Sequence, residues 1–160
     1  MLKDDGSVWA MGRNSKGQLG DGTKIRKSKF FFVQFIPYAE AVAAGDSHSL
    51  VLTKEGYVWA TGWNKYGQLG DDTMADSYRF RLAISGGARA VTAGDAHSVV
   101  LKQDGSVWAS GRNYNGQLGD GSKNDRSAFA KVLDGDVVDV VAGGFHSMVL
   151  KQDTSVWATG

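Results

Sequence analysis

Three regularly spaced histidines are the first candidates for chemistry in this chain of 160 residues. Imidazole acts as a general base or a metal ligand in many sites, so a cluster of His48, His97 and His146 would indicate catalysis or metal binding. They recur every 49 residues in copies of one motif, and equivalent positions of a repeat are spread apart in space. We therefore expect each to be a structural side chain at a strand end that hydrogen-bonds to backbone.

Three aspartates are the second candidates. The segment Gly-Gln-Leu-Gly-Asp occurs three times and ends at Asp21, Asp71 and Asp120. A calcium loop needs several closely spaced oxygen ligands, and each segment supplies one carboxylate. A phosphate loop would need Gly-x-x-x-x-Gly-Lys-Ser/Thr after a strand, which the sequence lacks. We expect structural turns, with no metal, no cofactor and no catalytic grouping, so the chain is predicted not to be an enzyme.

The composition narrows the class of partner. Lys and Arg number 18 and Asp and Glu number 17, and this balance argues against nucleic acid as a partner because nucleic-acid binders carry a clear basic excess. The absence of cysteine excludes disulfides and thiolate metal sites. No apolar run has the length of a membrane helix, and the acidic start at Asp4 and Asp5 does not resemble a signal peptide. These features favour the cytoplasm or nucleus.

A tandem repeat organises the chain. Four tryptophans recur at spacings of 50, 49 and 49 residues, and residues 44–52 recur at 93–101 and 142–150. A fixed period of this size is the signature of a repeat architecture. We predict a single repeat domain. Its parts are a partial blade at 1–12 and three repeats at 13–62, 63–111 and 112–160.

Each repeat reads as four short strands. Residues 98–103 and 106–111 flank Asp104-Gly105, which predicts a type I′ hairpin. That turn would place Leu101 opposite Trp108 and Val100 opposite Ala109, giving a hairpin that is apolar on both faces and must be covered on both. Stacked, radially arranged propeller blades provide that cover. The other strands are predicted at 39–44, 88–93 and 137–142, and at 30–36, 80–84 and 129–133. The tryptophans expected between blades are Trp9, Trp59, Trp108 and Trp157.

Three positions depart from the repeat. Glu55-Gly56 replaces Asp-Gly in one hairpin turn, which is tolerable because Gly56 still supplies the positive φ. Asp153-Thr154 replaces Asp-Gly in the last hairpin, and a β-branched residue is strained at positive φ. We therefore expect that turn not to be type I′, or the hairpin to be loosely held. Asp72 stands where the other copies have Gly22 and Gly121, which predicts a different loop path there.

The repeat motifs carry a family resemblance. Along the chain the motifs follow one another in the order Ala-Gly-x-x-His-Ser, then Ser-Val-Trp-Ala-x-Gly or a close variant, then Asn-x-x-Gly-Gln-Leu-Gly-Asp. This order resembles the repeat of the regulator of chromosome condensation family. The resemblance implies a β-propeller, typically seven-bladed, in a family that includes a guanine-nucleotide exchange factor, arms of ubiquitin ligases and a bacterial β-lactamase inhibitor. About three four-stranded blades do not close a ring. The chain is therefore an excerpt of a longer propeller, a ring completed by self-association, or an open arc.

The predicted function is docking. In such rings the residues that bind a partner are expected at positions where the repeats differ. Here those positions are loop residues of the aromatic and charged types that often contact partners. We expect a non-enzymatic scaffold that binds a protein partner, with nucleotide exchange on a small GTPase and inhibition of a bacterial enzyme such as a β-lactamase as alternatives. Exchange is the weaker alternative because no insertion exceeds about two residues relative to the repeat. The contact candidates are Trp63, Tyr66, Tyr114, Lys24, Arg26, Lys27, Tyr78 and Arg79.

Overall fold

The computed structural model describes residues 1–33 and 36–160, and within those ranges the chain is all-β. The strands are β1 Trp9–Gly12, β2 Lys27–Phe32, β3 Ala39–Ala44, β4 His48–Thr53, β5 Tyr57–Gly62, β6 Ser77–Ser85, β7 Ala88–Ala93, β8 His97–Lys102, β9 Val107–Gly111, β10 Arg126–Leu133, β11 Val137–Ala142, β12 Ser147–Lys151 and β13 Val156–Thr159. None of the described segments is a helix with the length and hydrophobicity of a membrane span.

The strands form a series of antiparallel blades. β3–β6 and β7–β10 are four-stranded sheets, β11–β13 is a three-stranded sheet and β1–β2 is a two-stranded sheet. Within each sheet every strand pairs with its neighbour in sequence. The first strands β3, β7 and β11 pack against one another, so they are innermost and the blades fan outward from them. This confirms the predicted β-propeller: two complete blades are flanked by a three-stranded and a two-stranded blade.

The innermost strands begin and end where the sequence predicted. The expected strands at 39–44, 88–93 and 137–142 are β3, β7 and β11. The outermost strands extend further than predicted: β6 contains residues 80–84 and β10 contains residues 129–133. In the first copy β2 begins at Lys27 and ends at Phe32. Of the predicted strand at 30–36, Gln34 and Phe35 lie outside the described residues.

The hairpin turns differ from the predicted type I′ geometry. Gly105 N donates to Lys102 O over 3.0 Å, and Gly105 carries the positive φ of the turn, +79°. The loop therefore has three residues, 103–105, and needs one left-handed residue instead of two. The additional loop residue moves the pairing by one position, so Val100 lies opposite Trp108 and Leu101 opposite Val107.

The shifted register changes which residues share a face, and both faces remain apolar. One face packs against the next blade around Val137 and Val140; its members are Val99, Leu101, Val107 and Ala109. The other face packs Val100 and Trp108 against the preceding blade; the residues met there include Leu52, Val58 and Ile84. Burial of apolar area on both sides of each sheet is the main force that holds neighbouring blades together.

The tryptophans occupy equivalent positions with different burial. Trp59 and Trp108 are partly buried in the clusters between blades. Trp9 and Trp108 donate their indole N–H to Ser7 and Ser106 over 2.9 and 3.0 Å. Trp157 lies on β13, which pairs with β12 alone, and 54% of its surface is exposed. Burial at this repeat position therefore depends on a complete neighbouring sheet.

Two substituted turn positions keep the backbone of the repeat. Thr154 takes a φ of +67°, and its N donates to Lys151 O over 3.0 Å, as Gly105 N does to Lys102 O. The last turn is thus not type I′, but it has the same form as the other hairpin turns. Asp72 has a φ of +60°, close to the +81° of Gly22 and the +76° of Gly121. The predicted different path at Asp72 is wrong, because aspartate tolerates the left-handed region.

Candidate protein-interaction surface

Two sets of loops emerge at the same end of the blades. In an antiparallel sheet the connection between the first and second strands and the connection between the third and fourth lie at one end. The short connections are residues 45–47, 94–96 and 143–146, and the long ones are residues 13–26, 63–76 and 112–125. We call this end the loop face. The hairpin turns and the links between blades lie at the opposite end.

A buried asparagine organises each long loop. Asn64 Nδ2 donates to Asp71 Oδ1 over 3.2 Å and to Thr73 O over 3.0 Å, and Asn64 Oδ1 accepts a hydrogen bond from Leu69 N over 2.9 Å. Asn14 and Asn113 make the same bonds in their own loops. The amide NH2 group thus donates to oxygens of its own loop and closes that loop. No group of three potential metal ligands occurs in residues 1–33 and 36–160.

Two of the loop aspartates, Asp21 and Asp120, are held in the ionised form by a lowered pKa. Burial opposes ionisation of Asp120, but hydrogen bonds from Ser122, Arg126 and Asn113 outweigh it and lower the pKa of the carboxyl to about 2. Arg126 Nε donates to Asp120 Oδ2 over 2.6 Å. Asp21 has a pKa of about 2 for corresponding reasons, with Lys27 as its cation partner. At neutral pH these carboxylates are acceptors that tie each loop to its own outer strand.

The repeated histidines connect one blade to the next. His48 Nε2 lies 3.0 Å from Ser98 Oγ, and Ser98 Oγ lies 2.6 Å from Gln68 O. The hydroxyl has one proton, which it donates to the carbonyl, so the imidazole Nε2–H donates to the serine. His97 repeats the arrangement; its partners are Ser147 and Gln117 O. The side-chain partner of Nε2 is therefore a serine of the following blade.

This network fixes the loops that carry the contact candidates. Gln68 O receives the serine proton, and Gln68 Oε1 accepts a hydrogen bond from Tyr66 N over 3.1 Å. Gln68 is fully buried. Tyr66 therefore sits on a loop whose backbone is anchored from the next blade, which reduces the conformational entropy that a partner would have to remove on binding.

The two buried histidines are kept neutral. Burial is the main cause that lowers the pKa of His48 and of His97 from 6.5 to about 4, and the neighbouring histidine of the next blade adds to it. Both Nδ1 atoms are buried without a hydrogen-bond partner. Protonation there would create a buried cation with no acceptor. His146 is exposed and lies just before β12, so the three histidines follow one another from blade to blade and do not converge on one site.

An aromatic–cation band crosses the loop face. Lys16 Nζ lies 5.6 Å from the ring centre of Trp63, and the Trp63 and Tyr66 rings meet edge to face at 5.3 Å and 78°. The Arg112 guanidinium lies 5.3 Å from the Tyr66 ring centre and 5.9 Å from that of Tyr114. The band consists of Lys16, Trp63, Tyr66, Arg112, Tyr114 and Phe145. It spans loops of four successive sheets and brings three of the predicted contact residues together.

The remaining contact candidates lie beside the first long loop. Lys24 Nζ lies 4.5 Å from the Tyr78 ring centre, which places both at the base of β6. Lys27 is engaged in an ion pair with Asp21 at 3.0 Å. Arg26 and Arg79 are exposed, and they stay predictions as contact residues. Lys24 and Tyr78 are the members of this second group that contact each other.

Sequence reasoning did not select three members of the band, which are Lys16, Arg112 and Phe145. Arg112 matches the repeat at a position shared with Arg13, so its type alone carries no signal. Phe145, however, stands where the other copies have Ser47 and Ala96. An aromatic residue in one copy only is the same signal that selected Trp63, and it would have identified Phe145.

The repeat motifs and their geometry agree with one family. Two family models, both described as "Regulator of chromosome condensation (RCC1) repeat", match the sequence. One covers residues 5–52 and 104–150, and the other covers residues 40–68 and 88–117. The chain belongs to the RCC1 repeat family. A search of curated proteins gave no match to this sequence.

Solved structures support the RCC1-like propeller fold. Human WBSCR16 superposes on 99% of the chain with a TM-score of 0.86 and 26% sequence identity. Yeast RCC1 (Prp20) in complex with Kap60 superposes on 98% of the chain with a TM-score of 0.84 and 22% sequence identity. A second structure of Prp20p from Saccharomyces cerevisiae superposes on 98% of the chain with a TM-score of 0.83 and 22% sequence identity. The chain spans 44%, 40% and 42% of the lengths of those three chains, so it corresponds to part of such a propeller.

Proposed function

We propose that this chain is a non-enzymatic interaction module that binds a partner protein through the aromatic–cation band. The observation that carries the proposal is the composition of the band, in which Trp63, two tyrosines and Arg112 are contiguous on one face. Trp, Tyr and Arg are the residue types enriched in the cores and hot spots of protein interfaces. Tyr114 is 70% exposed, so a partner would bury a large aromatic area there.

The rigidity of the loops supports the same function. Tyr66 and Tyr114 belong to loops closed around the buried Asn64 and Asn113, and Gln68 ties the first of them to the next blade. Aromatic side chains on a preorganised backbone lose little entropy on binding. The similar yeast protein RCC1 (Prp20) has been solved bound to Kap60, and its binding to Gsp1p and histones has been described, which is consistent with a protein as the partner here.

The long loops give no support to nucleotide exchange. Residues 13–26, 63–76 and 112–125 are each fourteen residues long, so none of these loops has an insertion that could act as a wedge in a nucleotide site. No feature of the band is specific to a β-lactamase either. The interaction function is therefore proposed without a named partner.

The test is partner capture with matched variants. The wild-type chain, the triple variant W63A/Y66A/Y114A and the control Y57A would each be immobilised and exposed to extract of the source cells. Tyr57 is 39% exposed at the opposite end of its blade, at the start of β5. Captured proteins would be quantified by mass spectrometry and the binding of the main one measured by calorimetry.

We expect the affinity of the triple variant for the partner to fall by about 100-fold or more, because each truncation of a hot-spot residue weakens binding by about 2 kcal/mol or more. The control should bind as the wild type does. Circular dichroism at far-ultraviolet wavelengths would verify that all three chains are folded. Equal capture by the triple variant, or loss with Y57A alone, would overturn the proposal.

A further inference from the structure

Arg112 has unused hydrogen-bonding capacity. Its side chain is half-buried, and its guanidinium is enclosed by rings whose centres lie 5.3 Å away at Tyr66 and 5.9 Å away at Tyr114 and Phe145. Within the described residues its side-chain nitrogens form no ion pair and no hydrogen bond, whereas the half-buried Arg126 meets Asp120. Five N–H donors are thus held in place by cation–π contacts with no acceptor.

A second copy of the repeat shows that this state is particular to Arg112. Arg13 occupies the same repeat position, is exposed and donates Nε to Ser15 Oγ over 3.0 Å. In the loop of Arg112 the corresponding residue is Tyr114, which cannot accept the bond in that way and contributes a ring instead. The substitution replaces a locally satisfied arginine with one whose side-chain donors have no acceptor among the described residues.

We propose that Arg112 binds a carboxylate side chain of an acidic, extended peptide segment in the partner protein. A planar guanidinium fork matches a carboxylate with two parallel hydrogen bonds. The exposed rings of Tyr114 and Phe145 flank the fork, so apolar side chains on either side of the acid would pack on them. This inference rests on the proposed function and names the chemistry of the partner at the same band.

The local charge favours one carboxylate over a phosphate chain. Arg112, Lys123 and Asp125 line one shallow depression together with Tyr66 and Tyr114. Asp125 Oδ1 accepts a hydrogen bond from Asn113 N over 2.7 Å, so this carboxylate is a fixed part of the wall. Two cations and one anion leave a single net positive charge, which matches one Asp or Glu, whereas nucleic-acid grooves carry a larger basic excess.

The experiment is selection from a phage-displayed library of random dodecapeptides against the wild-type chain and the variants R112Q, R112K, R13Q and Y114A. The strongest peptide would then be synthesised with a fluorescein label, together with its Gln-for-Glu and Asn-for-Asp analogue. Binding would be measured by fluorescence anisotropy at low and physiological salt. A labelled dT12 oligonucleotide and a phosphotyrosine analogue of the peptide serve as alternative probes.

We expect selected peptides to be enriched in Asp or Glu next to apolar residues on the wild type and on R13Q, and the enrichment to disappear on R112Q. R112Q and the amide analogue should each weaken binding by about tenfold or more, because each removes a hydrogen bond between two charged groups. The affinity of R112K should lie between those of the wild type and R112Q, because lysine keeps the positive charge but lacks the planar guanidinium that binds a carboxylate with two hydrogen bonds.

Other outcomes separate this inference from the proposed function. Peptides without acidic enrichment that bind R112Q normally and lose affinity on Y114A would overturn the carboxylate inference and leave the interaction surface standing. Tighter binding of dT12 or of the phosphotyrosine analogue than of the acidic peptide would overturn it in favour of a phosphate ligand. Peptides whose binding none of the four variants changes would overturn both proposals.

Discussion

Acidification should unfold this propeller through its buried histidines. His48 and His97 each have a pKa of about 4 in the folded chain against 6.5 for the free side chain. A histidine with a lowered folded pKa binds its proton more tightly in the unfolded state, so the stabilisation is complete above pH 6.5 and is lost as the pH falls from 6.5 towards 4. The structural reason is burial of the imidazole, which lowers the pKa most, and the neighbouring histidine of the next blade lowers it further.

The magnitude follows from the shift. One pKa unit corresponds to about 1.4 kcal/mol, so each histidine can lower the free energy of unfolding by about 3 kcal/mol once the pH is below 4. At pH 5 the loss is about 2 kcal/mol per histidine, or about 4 kcal/mol for both. For a chain of this size that corresponds to a decrease of roughly 10 °C in Tm.

The assay is urea unfolding followed by tryptophan fluorescence at several pH values between 7.5 and 4.5. The double variant H48Q/H97Q should be less stable at pH 7 and should lose most of the pH dependence. H146Q is the matched control, because His146 holds the same repeat position with an exposed side chain. The loop carboxylates do not obscure the result, since Asp21 and Asp120 have pKa values of about 2 and titrate below this window.

Two outcomes would refute the reasoning. One is a free energy of unfolding that stays constant between pH 6.5 and 5. The other is a double variant that retains the full pH dependence of the wild type, which would assign the effect to other groups.

Two further predictions concern backbone positions at positive φ. T154G should raise the free energy of unfolding by about 1 kcal/mol, because Thr154 has a φ of +67° and glycine has no Cβ to strain there; urea unfolding would measure it, and a destabilised T154G would contradict the argument. G67A should destabilise the chain by at least about 2 kcal/mol more than the control G87A. Both glycines have positive φ, but a Cβ on Gly67 would lie 2.3 Å from Ser127 Cα whereas one on Gly87 would have no neighbour within 4 Å. Equal thermal unfolding midpoints for the two variants would show that the contact between blades at Gly67 is not tight.

Much of the fold could be predicted because the same short pattern of apolar and turn-forming residues recurs in each repeat. Alternating apolar residues around Asp-Gly turns predicted the hairpins, and the innermost strands β3, β7 and β11 were predicted with the correct ends. The register was predicted one position away from the observed one. Asp104-Gly105 is compatible with a two-residue or a three-residue loop, so this dipeptide alone does not determine the register, and in the observed register Trp108 packs against the preceding blade.

The candidate site was predicted in part. Trp63, Tyr66 and Tyr114 were selected as departures from the repeat, and the structure places them in one band. Arg112 was not selected, because an arginine that matches the repeat gives no sign of its surroundings. Arg112 differs from Arg13 because Tyr114 takes the position of Ser15, the residue to which Arg13 donates, and because the ring of Tyr66 on the neighbouring loop lies beside its guanidinium.

The sequence by itself determined the period, the strands and the propeller family of this protein, because these depend on short-range patterns that recur in every copy. Tertiary structure alone decided that Tyr66, Arg112 and Phe145 meet on one face, and that His48 reaches a serine of the next blade. Those contacts join residues of different blades, so they depend on the angle and spacing at which whole sheets pack, which no local pattern specifies.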